Sequence, residues 1–532
     1  MHRLDRSPDP RFRRWQWRIF AIAWLSYGSF YLCRVNLAVA LPAIQADLGW
    51  SKGTAGLIGS LFLWVYAVGQ LVNGTVGQKA DARWFVGLGM LGSAVCGAAF
   101  GSSSWLWLMA VLWALNGWAQ SMGWGPIMKT IAAWFDPRRR GRITAFFSPC
   151  FVLGHLVAWA AGGWLVSRWG WRYAFWLPAA ALTGVGLIWL TGIRSTPDQV
   201  GFRGLDGANA RPKAGLRDIL GSVLVQPRVR WAALVCVFAS MIKDGLNLWA
   251  PTFLVDAMGM QVDRAAWAAS VLPLFGLAGS LLAGWFSDRL FRSREAPGVI
   301  GLLLAIALAM VGFRLLGRGT ALWIAVLLLA GCGAAVYGIN ALLLTSLPLS
   351  FSAEGNVGAV AGFLDFASYV GGGISALAVG QLLDWRGWNA VFTYWLVATL
   401  FALAGAVMLG RQAEAGSYVN PVHLGDRVER KPLRPGANRG LRQDSRTGGS
   451  RMGSHTLIKK RKDMPRAPLP KCHGGEGTLD WIRVLDGEDT KGRHLNFMHD
   501  DILPPGTSIG VHRHEHDRVL FRGLRRRGYD PG

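Results

Sequence analysis

Residues Gly163–Phe175 read GWLVSRWGWRYAF, and residues Gly380–Phe392, 217 positions later, read GQLLDWRGWNAVF. Both set a Gly-Trp pair, Gly170-Trp171 and Gly387-Trp388, between two apolar runs. Two further matches recur in the same order at an offset near 210. Arg34 and Lys243 each precede a proline by eight residues (Pro42 and Pro251), and Gly74 with Lys79 answers Gly284 with Arg289, five apart in each copy. Three matches in one order mark an internal repeat of half the apolar part of the chain.

The stretches between these marks are long enough to span a bilayer, whose core of about 30 Å needs roughly 20 apolar residues in a helix. Twelve such runs are read: about 18–42, 54–76, 84–102, 105–131, 143–166, 172–192, 230–255, 266–286, 297–315, 320–347, 354–382 and 388–409. The expected fold is an all-α membrane protein of twelve transmembrane helices. An N-terminal six-helix bundle (1–192), a cytoplasmic central loop (193–229) and a C-terminal six-helix bundle (230–410) precede a disordered basic linker (411–463) and a tail (464–532). Two bundles related in this way rock about a site at the bilayer midplane, which is the logic of a secondary transporter. No GxxxxGK[ST] loop is present to suggest that ATP drives it. An enzyme is not expected, nor a cofactor.

Composition agrees. Of 532 residues, 52% are hydrophobic and only 16% charged, with a formal net charge of +25. A soluble chain carries nearer a quarter charged residues, and a disordered basic chain lacks this hydrophobicity. Net charge divides into +16 for residues 1–410 and +9 for 411–532. The basic residues of the first part sit beside apolar runs, so anionic lipid headgroups explain them and nucleic acid is not the expected partner. Clusters at Arg3 to Arg14, Lys79 with Arg83, Arg138 to Arg142, Arg194 to Arg230 and Arg289 to Arg294 fall on one side. By the positive-inside rule both termini are cytoplasmic, in a multi-pass protein of the cell inner (plasma) membrane, and a monomer is expected. The first apolar run is too long for a cleavable signal peptide and no small-residue site follows it, so it reads as a retained anchor. Five of the six cysteines lie in apolar spans, where disulfides are not expected.

Ionisable residues within the spans each need a reason, because insertion of one near the bilayer centre costs about 2.5–3.5 kcal/mol. They are Arg34, Lys129, Lys243, Asp244 and Asp365, with His155 as the embedded histidine. Arg34 and Lys243 hold equivalent repeat positions, so a pseudo-two-fold axis turns both toward one cavity, where they suit a small anionic solute. The alternative neutralises each in place, Lys243 by Asp365 and Arg34 by a backbone carbonyl. Asp244, next to Lys243, points about 100° away on a helix and reads as facing a neighbouring span. Asp365 either balances Lys243 or carries a coupling proton; His155 is a packing histidine or a proton carrier. Lys129 near the end of the fourth span reads as a snorkelling side chain. Tyr31, one turn before Arg34, and Trp124 are placed to line the cavity, while Gly117, Gly123 and Gly125 permit close approach and bending.

Gly74-Thr-Val-Gly-Gln78-Lys79 and Gly284-Trp-Phe-Ser-Asp288-Arg289 resemble the GxxxD[RK] gating-loop motif of the major facilitator superfamily; the first copy has Gln78 in place of the acid. Within that superfamily, Tyr31-Leu-Cys-Arg34-Val-Asn36 and Asn116-Gly-Trp-Ala-Gln120-Ser-Met-Gly123-Trp124-Gly-Pro126 resemble the organophosphate:phosphate antiporters, the group of glycerol-3-phosphate and hexose-phosphate transporters. The resemblance spans about residues 18–409. It implies exchange of an organic phosphate for inorganic phosphate, with the phosphate held by Arg34 and Lys243. The family's second-span lysine falls on Gln70, and its fifth-span histidine on Phe151, one turn before His155. A phosphate monoester carries about −1.5 to −2, so two cations balance it if Asp365 is protonated or turned away. If Asp365 stays ionised, a monoanionic sugar acid carried with protons fits better, and sensor members of the family offer a third reading, a sugar-phosphate receptor that does not transport.

In the tail, Gly506 followed by His512-x-His514 resembles the opening of a cupin metal motif, yet the glutamate expected three or four residues after His514 is missing and the chain ends 18 residues beyond it. A barrel of about eight strands does not fit in that length. The tail is therefore expected to be a truncated cupin-like piece joined by a frame change, or a His-rich tail, with no functional metal.

Overall fold

The computed structural model describes residues 9–136, 143, 146–147, 149–202, 226–290, 295–316, 322–351 and 357–418, and three strands between 466 and 499. The N-terminal half holds α1 (Pro10–Leu48), α2 (Lys52–Lys79), α3 (Ala82–Ser102), α4 in two pieces (Leu106–Ser121 and Trp124–Trp134), α5 (Pro149–Trp169) and α6 (Tyr173–Gly192). The C-terminal half holds α7 (Pro227–Asp256), α8 (Val262–Ala269 and Val271–Leu290), α9 (Glu295–Leu315), α10 (Leu322–Leu349), α11 (Val357–Arg386) and α12 (Trp388–Tyr418).

Eleven of these helices are by themselves long and apolar enough to cross a membrane. The twelfth crossing is α4, which the sequence reads as one run and which breaks at Met122-Gly123 into pieces of 16 and 11 residues. Two boundaries also differ from the sequence reading. Helix α1 starts at Pro10, eight residues before its apolar run, because Asp9 caps it by accepting from the Arg11 amide at 2.8 Å. Helix α12 continues past 410 to Tyr418, since the polar stretch Arg411–Ala415 holds good helix formers and no proline, and so does not force a helix to stop at the end of its apolar run.

The repeat read from the sequence reappears in the backbone. Left-handed glycines end α1 at Gly49 (φ 67°) and follow α7 at Gly259 (φ 67°), 210 positions apart. Gly170 (φ 93°) and Gly387 (φ 71°), 217 apart, turn α5 into α6 and α11 into α12. A side chain with a Cβ is strained at such angles, so these four positions fix where the chain reverses. Pro42 and Pro251 lie inside α1 and α7 at matching heights. The break in α4 has its counterpart in α10, where Ala341–Ser346 winds as a π-helix.

Between the halves, α2 packs on α11, α5 on α8 and α1 on α7. Advancing each helix by six turns the pair α2/α11 into α8/α5, so these are one contact made twice. Small residues allow it: a Cβ on Gly56 would lie 2.4 Å from the Ala376 carbonyl oxygen, and one on Gly163 would lie 2.7 Å from the Ala266 Cβ. Polar contacts close the same face, away from the chain's first helical residue. Asp384 at the end of α11 accepts from the amides of Lys52 (2.9 Å) and Gly53 (2.7 Å) at the start of α2, and Lys52 Nζ lies 2.5 Å from Asp256 at the end of α7.

In the second compact unit, Arg466–Pro470 pairs antiparallel with Thr478–Leu485, which also pairs with Met498–His499. The linker residues 419–463 and His512 and His514 lie outside the described residues.

Candidate functional site

The site begins where α1 loses its helix. Phe30 ends the first piece, Tyr31–Cys33 forms a 3-10 turn, and Asn36 starts the second piece. Arg34 sits in this interruption. Its Nε donates to Gln120 Oε1 (2.9 Å) and its Nη2 to the Tyr66 hydroxyl (3.3 Å), while its guanidinium carbon lies 4.8 Å from the ring centres of both Tyr31 and Tyr66. The expected alternative, neutralisation by a backbone carbonyl, is thus replaced by a side-chain amide and two aromatic faces. Among the described residues no carboxylate pairs with Arg34.

Lys243 lies in continuous helix on α7 and is 8% exposed. Its Nζ is 3.4 Å from Asp244 Oδ1 and 5.5 Å from the centre of the Tyr369 ring. One alternative is replaced here: the acid that Lys243 pairs with is Asp244 and not Asp365, while Asp244 also faces a neighbouring span, its carboxylate lying against Gly372 of α11. Adjacent side chains on a helix diverge at Cα, but a four-carbon lysine stem is long enough to fold back, and burial of both groups favours the pair. Asp365 on α11 instead meets Gln70 on α2, whose Nε2 lies 3.4 Å from Asp365 Oδ2 and 2.9 Å from the Tyr66 hydroxyl. The rings of Tyr66 and Tyr369 touch at 4.5 Å. Arg34, Tyr66, Tyr369 and Lys243 therefore form a ladder across the seam, with a cation over each outer ring.

Charges within this cluster sum to zero when Arg34, Lys243, Asp244 and Asp365 are all ionised. Two cations attract an anion, and two acids temper them. Tyr66 accepts from both Arg34 and Gln70, which leaves its own proton to be donated elsewhere.

The other sequence candidates fall at varied distances. Tyr31 lies under Arg34, as described. Trp124 packs on Tyr27 at 4.8 Å, and Tyr27 in turn meets Tyr31 at 6.0 Å, so Trp124 stands one aromatic ring back from the arginine. His155 is 3% exposed, sits edge-on to Trp159 at 4.4 Å and lies 5.9 Å from Tyr31; its Nε2 has no hydrogen-bond partner among the described residues. Lys129 does not snorkel. Its Nζ caps the end of α2 and the turn after it, donating to the carbonyls of Gln78 (2.7 Å), Ala80 (3.1 Å) and Gly77 (3.4 Å). It thereby fixes the end of α2, where Gly74 and Lys79 lie in helix and not in a loop as the sequence motif suggests, and the short loop that follows. In the second copy Arg289 lies 5.6 Å from the Trp285 ring centre, and the side chain of Asp288 is outside the described residues.

Beyond that first loop, Asp81 caps α3 by accepting from the Arg83 amide (2.8 Å), the Ser195 hydroxyl (2.5 Å) and Gln199 Nε2 (3.1 Å). Partial burial works to raise its carboxyl, but the hydrogen bonds from Ser195, Arg83 and Gln199 outweigh that and hold it below the ordinary value.

Tyr66, Gln120 and Tyr369 were not singled out from the sequence as site residues, whereas Gln70 was reached through the family's second-span lysine. The available signal was spacing: Tyr66 precedes Gln70 by one turn and Gln120 follows Asn116 by one turn, which puts each pair on one helix face.

The sequence pattern of the Major Facilitator Superfamily matches residues 23–376, across most of both bundles. The chain belongs to the major facilitator superfamily. This superfamily member is a multi-pass membrane protein and not an enzyme, and the repeat and seam described above are the two-bundle architecture of that fold. It is 25% identical over 414 residues to a "Probable hexose phosphate transport protein" of Chlamydia pneumoniae, covering 74% of this chain and 90% of the relative. It is 28% identical over 427 residues to the "Membrane sensor protein UhpC" of Salmonella typhimurium, covering 76% of this chain and 94% of that one. Among solved structures, an inward-facing, occupied bacterial homologue of the human lysosomal transporter Spinster superposes with a TM-score of 0.62 at 17% identity, over 76% of this chain and 98% of that chain.

Proposed function

We propose that this superfamily member moves a small organic phosphate, of the hexose phosphate or glycerol phosphate type, across the cell inner membrane in exchange for inorganic phosphate. Alternating access of the two bundles about the Arg34–Lys243 cluster accomplishes this, with both termini cytoplasmic. The observation that carries the reading is the ladder itself: one cation from each bundle, at equivalent repeat positions, meets the other through Tyr66 and Tyr369 at the seam. An anion gripped by both would touch both moving halves at once, so its presence changes the energy of their closure. Arg34 supplies a guanidinium that makes no ion pair among the described residues, and its planar fork suits a phosphate. The similarity to a probable hexose phosphate transport protein supports the same substrate class.

The charge count shapes the mechanism. With Asp244 and Asp365 ionised, a phosphate dianion enters a neutral cluster and leaves it net negative. Protonation of Asp365, whose hydrogen-bond partner is the Gln70 amide, halves that excess; binding of the anion is then accompanied by proton uptake.

A second reading follows from the sensor relative: the same cluster binds a sugar phosphate and the bundles respond without net transport. A third takes a monoanionic sugar acid with protons, which the pairing of Lys243 with Asp244 favours by leaving Arg34 as the one unpaired cation among the described residues of the cluster. Reconstitution in liposomes separates the three. Uptake of labelled phosphate that requires unlabelled phosphate or sugar phosphate inside is the expected result. Uptake indifferent to internal phosphate contradicts exchange, binding without uptake favours the sensor, and competition by sugar acids in place of phosphate favours the third.

A further inference from the structure

The break in α1 exposes backbone carbonyls in the middle of the N-terminal bundle, and two amides of α4 are folded onto it. The Arg34 amide bonds to the Tyr31 carbonyl at 3.2 Å, so the Phe30 carbonyl loses the partner a regular helix would give it. Gln120 Nε2 donates to Phe30 O at 3.0 Å, and Asn116 Nδ2 donates to Cys33 O at 2.8 Å. Trp159 of α5 donates to Val35 O at 3.1 Å. Ser93 of α3 ties the two amides together: it donates to Asn116 Oδ1 at 2.6 Å and accepts from Gln120 Nε2 at 3.0 Å. Asn116, Gln120 and Ser93 are all buried.

Each hydrogen is assigned by this network. Phe30 O only accepts, so the nitrogen of Gln120 must face it and the oxygen must face Arg34, whose Nε only donates. Gln120 has no freedom to flip. The lateral edge of the guanidinium, Nε with the outer side of Nη2, is then occupied by Gln120 and by the Tyr66 hydroxyl. The terminal edge, between Nη1 and Nη2, carries no partner among the described residues.

The geometry points to Gln120, with Asn116 and Ser93 behind it, as the positioning device that holds the α1 break and turns Arg34 so that an anion is gripped end-on through its Nη1–Nη2 edge. This inference rests on the reading of Arg34 as the anion ligand. It adds which edge of the guanidinium is offered and what fixes it. Neither Asn116 nor Ser93 touches Arg34, so their effect on an anion passes through Gln120 and the backbone.

The test uses the full-length purified protein, with inorganic phosphate as the probe and its dissociation constant read from tryptophan fluorescence. Gln120→Leu removes the acceptor from a charged donor and strands the Phe30 carbonyl; phosphate binding should weaken on the order of tenfold or more. Ser93→Ala, a smaller change remote from the anion, should weaken it several-fold, and it decides the matter if Gln120→Leu does not fold. Both are repeated with Arg34→Lys, whose ammonium has no lateral edge to hold; there neither substitution should cost further affinity. Parent-like binding in both variants, or an equal loss in the Arg34→Lys background, overturns the positioning role. Arg34→Ala that binds phosphate like the parent overturns the reading of Arg34 itself, a separate failure.

Discussion

Replacing Asp384 by alanine should open the face on which the bundles meet. Its two carboxylate oxygens accept from the Lys52 and Gly53 amides at 2.9 and 2.7 Å, the first donors of α2, which no intrahelical carbonyl can satisfy. An acid that caps a helix in this way contributes about 1 kcal/mol, and the positive end of the helix adds about 0.3–1 kcal/mol at an exposed position. The neighbouring Lys52–Asp256 pair is partly exposed on both sides and contributes about 0–1 kcal/mol. Asp384 is therefore the stronger of the two latches, at about 1–2 kcal/mol. Losing it lowers the ratio of closed to open by roughly 5- to 30-fold. Spin labels at Ser167 and Asn389, exposed positions on that face in opposite bundles, read the separation as a distance distribution. Asp384→Ala should move population from the short to the long distance. Gly56→Leu, which wedges a side chain where a Cβ already meets the Ala376 carbonyl at 2.4 Å, is the positive control. An unchanged distribution for Asp384→Ala beside an opened one for Gly56→Leu would refute the assignment of the latch.

Lys243→Ala leaves Asp244 buried without its cation and should cost about 3–5 kcal/mol of stability, while Lys243→Ala combined with Asp244→Ala should recover much of it; thermal unfolding in detergent measures both, and additive losses would contradict the pairing. Asp81, held below the ordinary carboxylate value, contributes stability that is present above its unfolded value near 4 and lost as pH falls through the lower folded value. Asp81→Asn, which keeps a capping oxygen and removes the charge, should therefore lower the melting temperature near neutral pH by an amount matching about 0.3–1 kcal/mol, and the gap should close in strong acid. A gap independent of pH would contradict the role given to its charge.

Much of the architecture is legible in the sequence because a bilayer imposes length and hydropathy on every crossing, and because the repeat doubles each signal. Gly170-Trp171 and Gly387-Trp388 mark the same turn in both halves, and the left-handed glycines occupy those places. Arg34 and Lys243 stand out since a charge in an apolar run is rare. What surrounds them is less legible. That Lys243 meets Asp244 and that Asp365 meets Gln70 depends on which way a flexible stem folds and on how closely α2 approaches α11. Hydropathy records neither. The break of α1 at Tyr31 is equally hidden, because no proline or glycine marks it; it persists through donors on α4 and α5, more than eighty residues away. Lys129 shows the same limit, its partners being backbone carbonyls that no side-chain pattern reveals.

The central claim is that Arg34 and Lys243 grip an anion shared by both bundles. It is tested most directly by exchange of labelled phosphate in liposomes loaded with unlabelled phosphate, for the parent, Arg34→Ala and Arg34→Lys. The parent should exchange, Arg34→Ala should be silent while still inserting and folding, and Arg34→Lys should retain a small fraction, since it keeps the charge without the planar fork. Exchange by Arg34→Ala at the parent's rate would contradict the account.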